Sequence, residues 1–150
     1  MQLTRYTDYA LRMLIRMALQ PDTRVTVREL AQEYQISQHH LVKVAHHLAK
    51  KGYVASSKGR KGGLQLARDA ADINLGALIR DTERSLQLVT CEDEKSGVRC
   101  AIQGSCRLPD ILQSAVDAMM AELDSYSLAD LVCDAGSLRV SLIDGPHSTR

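Results

Sequence analysis

Between Thr26 and Gly52 the chain reads TVRELAQEYQISQHHLVKVAHHLAKKG, and two helix starts follow each other closely. Thr26 with Glu29 is a capping box: the hydroxyl serves the amide three residues on, and the carboxylate reaches back to the cap's own amide. Leu30 and Ala31 give that helix its buried side. After QIS, Ser37 is placed to cap a second helix, in which Leu41, Val44, Ala45 and Leu48 form one apolar stripe and Gly52 ends the run. Two short helices with so tight a turn between them describe a helix-turn-helix. The second helix turns His39, Lys43, His46 and Lys50 outward, with Ser37, Gln38 and His40 at its start. These side chains offer donors to phosphates or base edges, and none brings a negative charge.

Charge supports a polyanion partner. From Tyr34 through Arg68 there is no Asp or Glu, while Lys43, Lys50, Lys51, Lys58, Arg60, Lys61 and Arg68 all lie there. The whole chain carries only +1, so the remainder is acidic by six charges. A basic block in an otherwise acidic chain is the electrostatic footprint of nucleic acid binding. A solvated lysine face would mix both signs.

The segment YVASSKGRKGGLQLA follows directly. Tyr53-Val54 and Leu64-Gln65-Leu66 predict short strands around a Gly-rich basic tip, a β-hairpin wing whose Lys58, Arg60 and Lys61 face a phosphate backbone or minor groove. GRKGG lacks the Lys-Ser/Thr and helix start of a P-loop, which removes that alternative.

Ahead of this unit, residues 7–19 have helical spacing, with Thr7 as the expected cap. Behind it, DINLGALIRDTERSLQL predicts a helix with Leu75, Leu78 and Ile79 inward. Residues 107–125 then predict a long amphipathic helix bearing Leu108, Ile111, Leu112, Ala115, Val116, Met119 and Leu123, with Pro109 in its first turn. So apolar a face calls for a partner, and a second copy of itself gives a two-fold dimer. Ser127 to Asp130 resembles a further capping box before a short helix, and the tail from about Gly145 is expected to be disordered. The chain has no Phe or Trp, so the core must be Leu, Ile, Val, Met and Ala, which suits helices.

MQLTRYTDYALR lacks the apolar run of a signal peptide, and nothing approaches the roughly 18–20 apolar residues of a membrane span. The expected location is the cytoplasm, where thiols stay reduced. That bears on CEDEKSGVRCAIQGSC, residues 91–106, which gathers three of the four cysteines in one polar loop. Metal or redox chemistry suits it better than a disulfide framework. Its C-x8-C-x5-C spacing lacks the short knuckle of a structural zinc site. Cys133, in an apolar LVC segment, reads as a small buried hydrophobe. No nucleophile–base constellation points to an enzyme.

TRYTDYALRML, the helix-turn-helix, the wing KGRKGG and the loop CAIQGSCRL together resemble the winged-helix transcription regulators that bind iron–sulfur clusters. The resemblance covers about residues 1–133. It is nearest to the family's nitric-oxide-sensitive repressors, through MQLTRYTDYALR, SLQLVTC and CRLPDILQSAVDAMMAELDSYSLADLV. It implies a mostly α fold with a small β-wing, divided into a DNA-binding domain (1–84), a cluster loop (85–106), a dimerisation helix with the short helix after it (107–133) and a tail (134–150). It further implies double-stranded operator DNA as partner, a homodimer, and nitric oxide as signal, with cluster supply or redox state as the alternative. Cys91, Cys100 and Cys106 would ligate the cluster, 4Fe–4S or otherwise 2Fe–2S. Some members place a histidine where this chain has Pro109, so the resemblance points for the fourth ligand to Asp8, reaching over from the other subunit. The first cysteine gap is longer than the family's usual, with EDEKSG as extra loop.

Overall fold

Thr4, rather than Thr7, caps the first helix of this computed structural model, which describes residues 2–59, 62–91 and 99–133. Helix α1 spans Arg5–Leu19, and the Thr4 hydroxyl accepts from the Thr7 amide. Thr7 is itself fully buried, one turn inside the helix. Helices α2 (Val27–Tyr34) and α3 (Gln38–Lys50) form the helix-turn-helix. The Thr26–Glu29 capping box is present in both directions, and Gln35 adopts a left-handed conformation to end α2. Ser37 occupies the cap position of α3 but makes no side-chain cap bond. Leu41, Val44, Ala45 and Leu48 are all buried, as their spacing predicts.

Strands β1 (Val54–Ser57) and β2 (Gly63–Leu66) pair antiparallel, with Val54 opposite Leu66. Val25 bridges to Leu64 through two backbone bonds, so the segment before α2 adds a third rung to the wing. The hairpin tip requires glycine. Gly59 has φ +108°, and a Cβ at Gly62 would collide with the Ser57 and Gly59 carbonyl oxygens. Arg60 and Lys61 of the expected wing contact lie outside the described residues, as do the whole extra loop EDEKSG and the tail.

Helix α4 covers only Leu75–Thr82, shorter than its pattern predicts. The Thr82 hydroxyl donates back to the Leu78 carbonyl, and Glu83 turns out into extended backbone. Its carboxylate accepts from the Thr4 amide at 2.7 Å and from the Thr4 hydroxyl at 3.0 Å. The long-range contact therefore ends the helix where local spacing would continue it.

Helix α5 spans Leu108–Asp124, with Pro109 in its first turn, and α6 spans Leu128–Leu131 behind the Ser127–Asp130 capping box. The chain then returns to the winged unit: Leu128 N–H donates to the Ile73 carbonyl, and Leu128 is fully buried in the main core. That core joins α1, α2, α3, the wing, α4 and α6 around Met13, Leu14, Met17, Leu30, Leu41 and Leu78. A second, smaller core sets Ile79 of α4 against Val116 and Met120 of α5. Of the apolar α5 residues singled out by pattern, only Val116 is buried; Leu108, Ile111 and Ala115 are exposed.

Candidate functional site

Helix α3 owes its orientation to the packing of its apolar stripe on α1 and α2, which leaves the opposite side to solvent. Ser37, Gln38, His39, His40, Lys43, His46 and Lys50 are all exposed, and so is Lys58 near the wing tip. No carboxylate pairs with Lys43, Lys50 or Lys58 among the described residues. Two other cations of the basic block, though exposed, have partners within the chain. Lys51 binds Asp81 at 2.5 Å, and Arg68 lies 4.4 Å over the Tyr53 ring while donating to the Lys51 carbonyl. The exposed remainder is a stripe of donors and positive charge carried by one helix and one hairpin, suited to a groove and its flanking phosphates.

Two histidines of α3 do something that pattern reasoning missed. Residues of α1 reach across to them. The Tyr6 hydroxyl and His47 Nδ1 share a hydrogen bond of 2.8 Å, with ring centroids 5.7 Å apart. Tyr9 stacks on His40 at 6.4 Å. Burial pushes the Tyr6 hydroxyl above its ordinary pKa, so it keeps its proton. Tyr6 and Tyr9 at the start of α1 and the histidines along α3 were the available signal; the chain distance between them hid it.

The cysteine loop is positioned by α5. From Glu83 the chain crosses to Cys91, and after Cys106 it enters α5 directly. Cys100 N–H donates to the Cys91 carbonyl at 2.9 Å, which closes the neck of the loop. Cys91, Cys100 and Cys106 all line one hollow of about 430 Å³, together with Val89, Ile102, Leu108 and Pro109. The Leu108 amide points at Cys106 Sγ, 3.4 Å away, and so holds that side chain at the start of α5. All three thiols are free of disulfides. Among the described residues no three His, Cys, Asp or Glu side chains close on a single point as one ion requires. A polynuclear iron–sulfur cluster spreads its metal atoms, so it accepts soft thiolates around the wall of a hollow, and the donor set suits it.

Asp8 is not among the described residues that line that hollow. It lies on the part-exposed side of α1, where its carboxylate accepts from Arg12 Nε at 3.0 Å. Cys133, expected to be buried, is exposed, and its thiol donates to the Asp130 carbonyl. Four-residue α6 is too short to cover it. No helix among the described residues is long and apolar enough to cross a membrane.

Comparison with known proteins bears on the fold and the family. The chain is 41% identical over 143 residues to the HTH-type transcriptional regulator NsrR of Shouchella clausii, covering 95% of each. It is 43% identical over 140 residues to NsrR of Geobacillus kaustophilus, covering 93% of this chain and 95% of that one. The NsrR of Bacillus subtilis is 42% identical over 133 residues, 88% of this chain and 90% of the relative. Among solved structures, IscR of T. potens superposes with a TM-score of 0.72 at 24% identity, covering 93% of this chain and 91% of that one. The cysteine regulator CymR of B. subtilis gives 0.71 at 24%, covering 89% and 97%. Both carry the winged-helix fold found here. Residues 3–134 match the Rrf2 family, iron-dependent transcriptional regulators. With that match and relatives above 40% identity along nearly its full length, the chain is a transcription regulator and not an enzyme, and it belongs to the Rrf2 family.

Proposed function

We propose that this regulator is a homodimeric repressor which holds an iron–sulfur cluster and leaves its operator when nitric oxide reaches that cluster. The observation that carries the reading is the shared hollow of Cys91, Cys100 and Cys106, in a chain so similar to proteins named NsrR. Those cysteines would hold the cluster, 4Fe–4S in preference to 2Fe–2S, with Asp8 of the partner subunit as fourth ligand. When bound, the cluster supplies iron that nitric oxide can attack.

The chain's own residues give that site its consequences. A carboxylate is a weaker ligand for cluster iron than a thiolate, so Asp8 would be the weakest donor of the set. The cysteine loop is continuous with α5 and, through Glu83 and Thr4, joined to the start of α1. Its closure therefore bears on both the dimer face and the helix beside the recognition helix. Two-fold symmetry then sets α3 of each subunit for successive major grooves, with the Lys58 hairpin on the flanking backbone. Release requires only that one dimer geometry lose its advantage over another by a few kcal/mol.

The test is an anaerobic visible spectrum with iron and acid-labile sulfide assays, followed by graded nitric oxide with operator binding monitored. Sulfide in the protein, and bleaching that parallels DNA release, are the expected results. Cys100→Ala should lose iron and sulfide yet stay folded. Zinc in a colourless protein, or operator binding indifferent to nitric oxide, would refute the reading.

A further inference from the structure

Three lines of contact meet on the first turn of α1. Thr4 is bound to Glu83, the residue that opens the run toward Cys91. Asp8 stands on the side paired with Arg12. Tyr6 lies two residues before Asp8, roughly 200° around the helix, and so faces the other way. That is where it meets His47 of the recognition helix, at 2.8 Å.

We propose that Tyr6 is a positioning residue: its bond to His47 makes the placement of α3 depend on the first turn of α1, and so on the state of the cysteine loop and Asp8. The inference rests on cluster-dependent repression as set out above. His47 is one turn beyond Lys43 and next to His46, so a shift at His47 moves the exposed donors of α3 with it. The Tyr6 hydroxyl also lies 3.5 Å from the Lys43 carbonyl. With His47 Nδ1 unprotonated the hydroxyl donates to it. With Nδ1 protonated the hydroxyl accepts, and turns its own proton to the carbonyl. The link therefore survives either form of the imidazole. The Tyr9–His40 stack lies further along the same pair of helices and resists their rotation about a single contact.

Tyr6→Phe removes the hydroxyl and keeps the ring packing, so the fold should stand. Operator affinity is measured for cluster-loaded and cluster-free forms of the wild type, Tyr6→Phe, His47→Ala and His47→Asn. The wild type should bind at least about tenfold more tightly when loaded. Tyr6→Phe and His47→Ala should retain iron and sulfide but bring that ratio to within about threefold of one. His47→Asn, whose amide stands where Nδ1 was, should keep the wild-type ratio. In the cluster-free protein, the Nδ1 resonance of His47 should move on Tyr6→Phe in imidazole nitrogen spectra.

An unchanged ratio in Tyr6→Phe, an equal loss of affinity in both forms, or an unmoved Nδ1 resonance would overturn the relay while leaving the repressor reading intact. A wild type that binds equally with and without cluster would bring down both.

Discussion

At the scale of single residues, Asp81 fastens three elements at once. Its carboxylate takes Lys51 Nζ at 2.5 Å from the end of α3 and the Tyr53 hydroxyl at 2.8 Å from the entry to the wing, while it belongs to α4. Partial burial alone would raise its pKa, but the donations from Lys51 and Tyr53 outweigh that and hold it below the usual carboxylate range. Tyr53 moves the other way, pushed up to about 12 by burial and by its bond to Asp81, so it stays a donor. A carboxyl depressed by folding contributes stability above its unfolded pKa, near 4, and that contribution is lost as pH falls through the folded value. Asp81→Asn should therefore cost roughly 1 kcal/mol at neutral pH, discounted for the side chain's partial exposure. The matching fall in midpoint is about 2–4 °C. Thermal melts across pH should show the difference between wild type and variant constant above about pH 5 and closing below about pH 4. A difference that does not close in acid would mean that the charge of Asp81 is not what fastens these elements.

At the scale of elements, the proposed DNA surface is divided between α3 and the wing. Lys43 is exposed in the middle of α3 and no carboxylate pairs with it among the described residues. Lys43→Ala should weaken operator binding and lower the slope of log affinity against log salt by about one, if Lys43 meets a phosphate. An unchanged slope would remove Lys43 from the interface. How much of this was legible in the sequence follows from the range of the interactions. The capping boxes at Thr26 and Ser127 are three-residue devices, and both formed as read. The apolar stripe of α3 was equally local. The true end of α4 was not, because Glu83 leaves the helix for Thr4, a contact that no window of a dozen residues contains; the start of α1 is a local cap, misread by three residues because Thr4 and Thr7 both offer a hydroxyl. The same holds for the site. The cysteines drew attention by gathering in one loop, and their ligand role came from the family resemblance, whereas the Tyr6–His47 bond spans forty-one residues and pairs two side chains that each have an ordinary reading alone. Cys133 was misjudged for a related reason: an apolar neighbourhood in sequence did not become one in space.

At the scale of the whole molecule, α5 has an inner face and an outer one. Its inner face is satisfied by Ile79, Val116 and Met120, and the bidentate Arg80–Asp124 pair ties it to α4. The other side carries Leu108, 50% exposed, and Ile111, 59% exposed, beside Ile102 of the cysteine loop. So many large apolar side chains on one helix and the loop joined to it suit a second copy of the same helix, related by a two-fold axis that makes each residue meet its counterpart's surroundings. Ile111→Lys would then bury a charge opposite a charge. It should convert the dimer to monomers in sedimentation at micromolar concentration while leaving the helical content unchanged. Operator affinity should fall by about a hundredfold or more, because the second half-site is no longer held at high effective concentration. Lys43→Ala serves as the control, since it should weaken DNA binding with the dimer intact. A dimeric Ile111→Lys would place the subunit contact elsewhere, and with it the proposed approach of the cysteine loop to a partner's Asp8.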